Sequence, residues 1–219
     1  MWIIVNDLAG LLIAFIAGLY ALPYIKLYYK LFFYLIVVFI IIYILTYVVL
    51  LFPNQKSNQW VFNLYMPIET GFLMRAAYQY FKLDKRKSLI IVGYFVFMAV
   101  FLSDIIVRGP GIFANHGYIT ESILLVALYL FVLNFEFNKE FISWKRSPDI
   151  WIALGIVAYF GGAAPYLSLM HYLNTNHHTL NYYLYNLVTV GLANLRYILL
   201  AVGFWLIRRN AIAKTISTQ

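Results

Sequence analysis

The chain has 219 residues, of which 64% are apolar, 20% aromatic and only 11% charged, with a net charge of +8 and no cysteine. Soluble domains are about 45–50% apolar and about 25% charged, so a fold of this size surrounded only by water is excluded and lipid must be its solvent. Disulfides and thiolate metal sites are excluded by the missing cysteines.

A membrane-crossing helix needs about 20 mostly apolar residues, and seven runs qualify: 5–22, 31–52, 60–81, 88–107, 118–137, 150–172 and 182–207. The first is not an ordinary signal peptide. Its leader carries no positive charge, Asp7 is negative, and Lys26 and Lys30 follow the apolar run, a pattern that inserts with the N-terminus outside. The second, Leu31 to Phe52, is almost uninterrupted, whereas the third is broken by Pro67, Glu69 and Arg75. The sixth carries a small-residue stripe, Gly155, Ala158, Gly162 and Pro165, which invites close helix approach and a kink. The residues after Arg209 read as a short polar, disordered tail.

Lysine and arginine test the orientation. Lys26, Lys30, Lys82, Lys85, Arg86, Lys87, Lys139, Lys145, Arg146, Arg208, Arg209 and Lys214 fall after helices one, three, five and seven, whereas only Lys56 and Arg108 fall on the opposite side. That is a strong positive-inside bias. The prediction is an all-α membrane protein: a single seven-transmembrane helix bundle over residues 1–209, N-terminus outside, with a cytoplasmic tail at 210–219. The basic loops account for the net charge without a nucleic-acid partner.

Ionisable groups within spans cost at least ~2.5–3.5 kcal/mol each and face the bundle interior or a cavity. Glu69, nine residues from Trp60, lies ~14 Å below the outer end of helix three. Arg196, twelve residues before Arg208, lies ~18 Å above the inner end of helix seven, and so ~12 Å below the outer face of a ~30 Å core. The matching depths predict a Glu69–Arg196 ion pair joining helices three and seven, either as a packing device or as part of a ligand site. Arg75, nearer the inner surface, is expected to snorkel. Thr189, Ala193, Arg196 and Gly203 share one face at helical spacing. Glu69, Arg196, Asn194, Thr189 and Asn63 are therefore the candidate ligand-binding or ion-pair residues.

A second candidate group lies at the outer face. Asp104 and Arg108 end helix four, Glu121 starts helix five, His116 lies between them, and His171, His177 and His178 surround the loop before helix seven. A metal or pH-responsive site there competes with plain solvated histidines. No histidine pair has helical i, i+4 spacing, and neither a metal nor another cofactor is predicted. Every lysine lies in a loop or the tail, which argues against a retinal Schiff base, and no Walker, His-Glu-x-x-His or Gly-x-Ser-x-Gly motif occurs. Ile68-Glu69-Thr70-x-x-Leu73 in helix three is echoed by Thr120-Glu121-Ser122-x-x-Leu125 in helix five, a hint of parallel repeats around helix four.

Four stretches carry a resemblance: Asn63-Leu64-Tyr65-x-x-Ile68-Glu69, Glu121-Ser122-x-x-Leu125, Tyr159-Phe160-Gly161-Gly162, and Asn186 to Trp205 with Asn194 and Gly203-x-Trp205. They resemble a family of small seven-transmembrane proteins of Bacteroidetes-type bacteria, similar to the membrane sensor modules of histidine kinases. The resemblance implies a sensory or signalling module in a bacterial inner membrane. With no kinase domain on this chain, its output would pass to a separate partner at the cytoplasmic loops. The expected function is a non-enzymatic sensor binding a small or lipidic ligand or a membrane partner near Glu69 and Arg196. The alternatives are a small transporter or channel with those charges lining the path and, behind it, a membrane enzyme acting on lipid.

Overall fold

The computed structural model describes residues 2–50, 59–81, 87–139 and 144–217, and within these leaves out the side chains of residues 2–8, Leu50, Trp144, Met170, His171, Asn174, Thr175, His178, Thr189, Ile216 and Ser217. Lys56, Lys82, Lys85 and Arg86 lie outside the described residues. Every described element is helical: α1 (Trp2–Ala21), α2 (Leu27–Leu50), α3 (Gln59–Tyr80), α4 (Lys87–Arg108), α5 (Asn115–Phe137), α6 (Pro148–Asn176), α7 (His178–Tyr185) and α8 (Ala193–Ser217). A π-helical segment, Asn186–Leu192, fuses α7 and α8 into one rod. The described residues therefore form seven rods, as hydrocarbon demands of a chain whose backbone groups must bond within each segment.

Five helices are long and apolar enough to cross a membrane: Leu27–Val49, Lys87–Arg108, Asn115–Phe137, Pro148–Leu169 and Thr179–Thr215. The described apolar stretch at the first helix, Ala9–Tyr24, is shorter. The third rod, α3, carries Asn63, Glu69, Thr70 and Arg75 and stays below that hydropathy. Its polarity is tolerated because α3 is interior: Asn63, Glu69 and Thr70 are all buried, along with Val61, Tyr65, Leu73 and Ala77. In contrast α4 is peripheral. Only Ile90, Phe97, Phe101 and Asp104 are buried on it, and Leu89, Phe95, Ile106 and Val107 are left 68–81% exposed, an apolar face that lipid covers.

Hydrogen bonds between elements set their directions. The starts of α3 and α5 and the end of α4 meet at one end of the bundle, through Asn63, Ala114, His116 and Asp104. The ends of α3 and α5 meet the starts of α2 and α6 at the other, through Tyr80, Glu136, Ser147, Tyr29 and Asp149. These are called below the Gln59 end and the Tyr80 end.

Three of the differences from the sequence reading have a clear physical cause. Pro148, whose missing N–H is harmless at a first helical position, starts α6 with Asp149 in its first turn. The last rod begins at His178 and contains π geometry, which adds a residue per turn and breaks the 3.6-residue register assumed between Thr189 and Ala193. The tail read as disordered is helical to Ser217. Asn210 Nδ2 donates to the Arg146 carbonyl 3.2 Å away, and Ala211 and Ala213 favour the helix. Helix α3 continues through Pro67, and α6 through Pro165.

The small-residue stripe packs α6 on α8. A Cβ built on Gly155 would lie 3.1 Å from the Arg196 carbonyl oxygen and 3.4 Å from its Cα, so the two backbones touch there. At Gly162 the obstacle is the tip of the Leu192 side chain, its Cδ1, with Leu192 Cγ already 3.7 Å away. A side-chain tip rotates aside and a backbone does not. Gly155→Ala is therefore expected to cost more stability, about 1–3 kcal/mol, than Gly162→Ala, measured by thermal unfolding in lipid. The reverse order would contradict a backbone-level contact at Gly155.

Candidate functional site

Glu69, in mid-α3, and Arg196, one turn into α8, meet in the bundle interior. Arg196 Nη2 lies 2.6 Å from Glu69 Oε1, and both side chains are about 95% buried, being 4% and 5% exposed. Three rings flank the guanidinium, those of Tyr159, Phe160 and Tyr197, with centroids 5.0, 5.4 and 5.6 Å from its central carbon. Ion pairing and cation–π contact together offset the desolvation that a buried arginine suffers.

A second carboxylate lies beside this pair. Glu121 is completely buried on α5, and its Oε1 accepts the Thr70 hydroxyl at 2.6 Å. The two echoed motifs therefore meet across the α3–α5 interface. Leu73 and Leu125, the apolar members of the motifs, are also buried. The sequence reading grouped Glu121 with the outer-face residues because it started helix five at 118. Helix α5 in fact starts at Asn115, which carries Glu121 nearly two turns inward. Several buried polar atoms of this cluster have no hydrogen-bond partner among the described residues: Tyr65 Oη, Glu121 Oε2, Ser122 Oγ and Arg196 Nε.

Above the cluster is a cavity of about 500 Å³. Its walls come from Phe39 and Tyr43 on α2, Phe62, Tyr65 and Met66 on α3, and Tyr118 on α5, closed by Tyr159, Ala163 and Tyr166 on α6 and Tyr185, Val188 and Tyr197 on the last rod. Gln59, Ile112, Phe113 and Asn115 line it at the Gln59 end, and Glu69, Glu121 and Arg196 form its floor. One turn toward the Tyr80 end from the three floor residues, and from Phe39 and Tyr159 on the wall, the chain presents a buried apolar side chain: Leu73 after Glu69, Leu125 after Glu121, Leu200 after Arg196, Ile36 before Phe39 and Ile156 before Tyr159, none more than 2% exposed. This layer plugs the bundle beneath the cavity.

The other candidates have structural partners. Asn63 does not line the cavity. Its Nδ2 donates to the Pro110 and Ile112 carbonyls at 2.9 and 2.7 Å, and its Oδ1 accepts from the Ala114 N–H at 3.0 Å, so it clamps the α4–α5 loop to α3. Asn194 Oδ1 accepts the Gly10 N–H at 2.9 Å and ties α8 to α1. Asp104 caps α5 from the neighbouring helix, accepting the His116 and Gly117 N–H groups at 2.7 and 3.1 Å, with His116 Nδ1 2.8 Å from its other oxygen and Arg108 Nε at 3.5 Å. The outer-face cluster is thus a cap for orphan helix donors. The His171 and Thr189 side chains lie outside those described. Among the described residues no three histidine, aspartate or glutamate side chains are grouped to hold a metal.

One network had no counterpart in the sequence reading. At the Tyr80 end, buried Glu136 accepts from the Tyr80 hydroxyl, from Lys139 and, at 2.8 Å, from the Ser147 hydroxyl, while the Tyr29 hydroxyl donates to Asp149 at 3.1 Å. These bonds join α2, α3, α5 and α6 on the far side of the apolar layer.

No family model, curated protein or solved structure matches this chain.

Asn63→Ala removes three hydrogen bonds and orphans three backbone groups. It is expected to cost about 2–4 kcal/mol and to expose residues 109–114 to protease. Thermal unfolding and limited proteolysis measure the two effects. Parental stability together with a protected loop would contradict the clamp.

Proposed function

We propose that this protein is an integral membrane sensor or signalling module, without catalytic activity, that binds a small or lipidic ligand in the cavity above Glu69, Glu121 and Arg196. The observation that carries this reading is the cavity itself. It is lined mostly by aromatic and aliphatic side chains, a few polar atoms without partners converge at its floor, and packed side chains close it below. Its volume of about 500 Å³ suits a drug-sized molecule.

The proposal includes seven membrane spans with the N-terminus outside and the C-terminus in the cytoplasm of a bacterial inner membrane. The charge distribution supports this orientation. Among the described residues Lys26, Lys30, Lys139, Lys145, Arg146, Arg208, Arg209 and Lys214 gather toward the Tyr80 end, and Arg108 lies at the Gln59 end. The cavity then opens toward the outer side.

Helix α8 supplies the route for a signal. Arg196 sits at the cavity floor, and twelve residues later, ~18 Å along the same helix, Arg208 and Arg209 reach the cytoplasmic face. A ligand that competes for Glu69 or Arg196 biases the position of α8 against α3. The π segment just above Arg196 is the kind of irregular helix that accommodates a register shift. The basic end of α8 then meets a separate signalling partner or anionic lipid. The transporter reading draws on a different observation, the Glu136–Asp149 network beyond the apolar layer, which would become the second access site if that layer parted.

Since the chain has no cysteine, single thiols report access cleanly. Ala163→Cys places a thiol on the cavity wall and is expected to react with a membrane-impermeant maleimide added from outside, whereas Ala153→Cys, in the buried part of α6, stays unreactive from either side. Reaction of Ala163→Cys only from the cytoplasmic side would overturn the proposed orientation. Reaction of Ala153→Cys from that side would favour the transporter.

A further inference from the structure

We propose that the cavity selects an organic cation, an ammonium group carried on a compact apolar or aromatic body, with Glu121 as its counter-charge. This rests on the reading of the cavity as a ligand site and names the ligand's chemistry. Three observations carry it.

The first is charge. The cavity floor holds two carboxylates, Glu69 and Glu121, and one guanidinium, Arg196, and among the described residues no other charged side chain lines the cavity. Arg196 is committed to Glu69 at 2.6 Å, so Glu121 is left without a cationic partner. A carboxylate away from water takes up a proton unless a positive charge or charge-assisted hydrogen bonds hold it ionised, and an ammonium ligand supplies that charge.

The second is geometry. Glu121 is 0% exposed, yet it lines the cavity. Its Oε1 takes the Thr70 hydroxyl, while its Oε2 has no partner among the described residues. In the ionised form that oxygen only accepts, so a donor completes it, whereas the protonated form would itself donate; a bound ammonium selects the ionised form. Tyr65 Oη, one turn outward on the opposing helix, is a second unpartnered polar atom for the same ligand.

The third is the wall. Tyr118 stands one turn outward of Glu121 on α5, and Tyr65 one turn outward of Glu69 on α3, with Phe39, Phe113 and Tyr166 completing an aromatic lining. Ring faces carry negative quadrupole charge and attract ammonium groups. They also bury an apolar body well. An anion would meet the unpaired Glu121, and Arg196, although its Nε has no partner among the described residues, already carries the opposite charge of Glu69.

The test uses the full chain in lipid nanodiscs and three probes of one shape: phenylethylammonium, 2-phenylethanol and phenylacetate. Two readouts are taken, the thermal-unfolding shift and protection of Ala163→Cys from maleimide. Phenylethylammonium is expected to stabilise and protect saturably, at concentrations about tenfold or more below those needed for 2-phenylethanol, with phenylacetate weakest. Glu121→Gln keeps the side chain's size and removes its charge. It is expected to fold, as judged by an unfolding midpoint no lower than the parent's, and to abolish the preference for the ammonium over the alcohol. Equal binding of all three probes, strongest binding of phenylacetate, or an undiminished ammonium preference in Glu121→Gln would overturn the assignment while leaving the cavity as a ligand site. Absence of binding by every probe would also overturn it, and the reading of the cavity would then stand or fall on the outside reactivity of Ala163→Cys alone.

Discussion

The structure depends on one interaction, the Glu69–Arg196 ion pair in the interior of the bundle. Breaking such a pair by removing one partner leaves an uncompensated buried charge and costs about 3–5 kcal/mol, although a matched apolar pair in its place is often no less stable. The pair therefore specifies an arrangement more than it adds net stability. It fixes the rotation of α3 and α8 about their axes, because any other facing would leave two charges in hydrocarbon. Gly155 lets α6 approach the Arg196 backbone, and the rings of Tyr159, Phe160 and Tyr197 close around the guanidinium.

From that fixed point the bundle divides into layers. Toward the Gln59 end is an aromatic-lined cavity whose floor carries the charges. Beneath it is the apolar layer of Leu73, Leu125, Leu200, Ile36 and Ile156. Toward the Tyr80 end is the hydrogen-bonded network of Tyr29, Tyr80, Glu136, Ser147 and Asp149. Two polar regions separated by a dry layer make the bundle asymmetric in function: one region has room for a ligand, and the other knits four helices together. The last rod runs past all the layers, with α7 and the π segment beside the cavity and α8 continuing below it, so Arg196 and Arg208 lie on one helix without an intervening loop.

Much of this was readable in the sequence. Apolar runs of spanning length located all seven rods, since lipid leaves the backbone no other solution. Glu69 and Arg196 could be paired from depth alone, because a charge within a span has so few permitted partners. The echoed motifs of Glu69 and Glu121 were read only as a hint of parallel repeats; that they meet, through Thr70 and Glu121, was not foreseen. Other features were hidden for identifiable reasons. Glu121 was read at the surface because an error of three residues in a helix start moves a side chain by nearly a turn. Asn63 was read as a ligand-binding candidate, and its clamp on Pro110, Ile112 and Ala114 depends on a loop conformation that no periodicity encodes. The Glu136 network joins residues that are individually ordinary at helix ends, and it exists only through tertiary proximity. The π segment shifts a register that sequence spacing assumes to be constant.

The most direct measurement of the central claim is a charge-reversal cycle at the ion pair, read as thermal stability in lipid nanodiscs. Glu69→Arg sets two guanidiniums side by side and Arg196→Glu leaves three carboxylates together, and each is expected to lose about 3–5 kcal/mol or to fail to fold. The double reversal is expected to recover a large part of that loss, a coupling that independent sites do not show. Single reversals as stable as the parent, or a double variant no better than the worse single, would contradict the account.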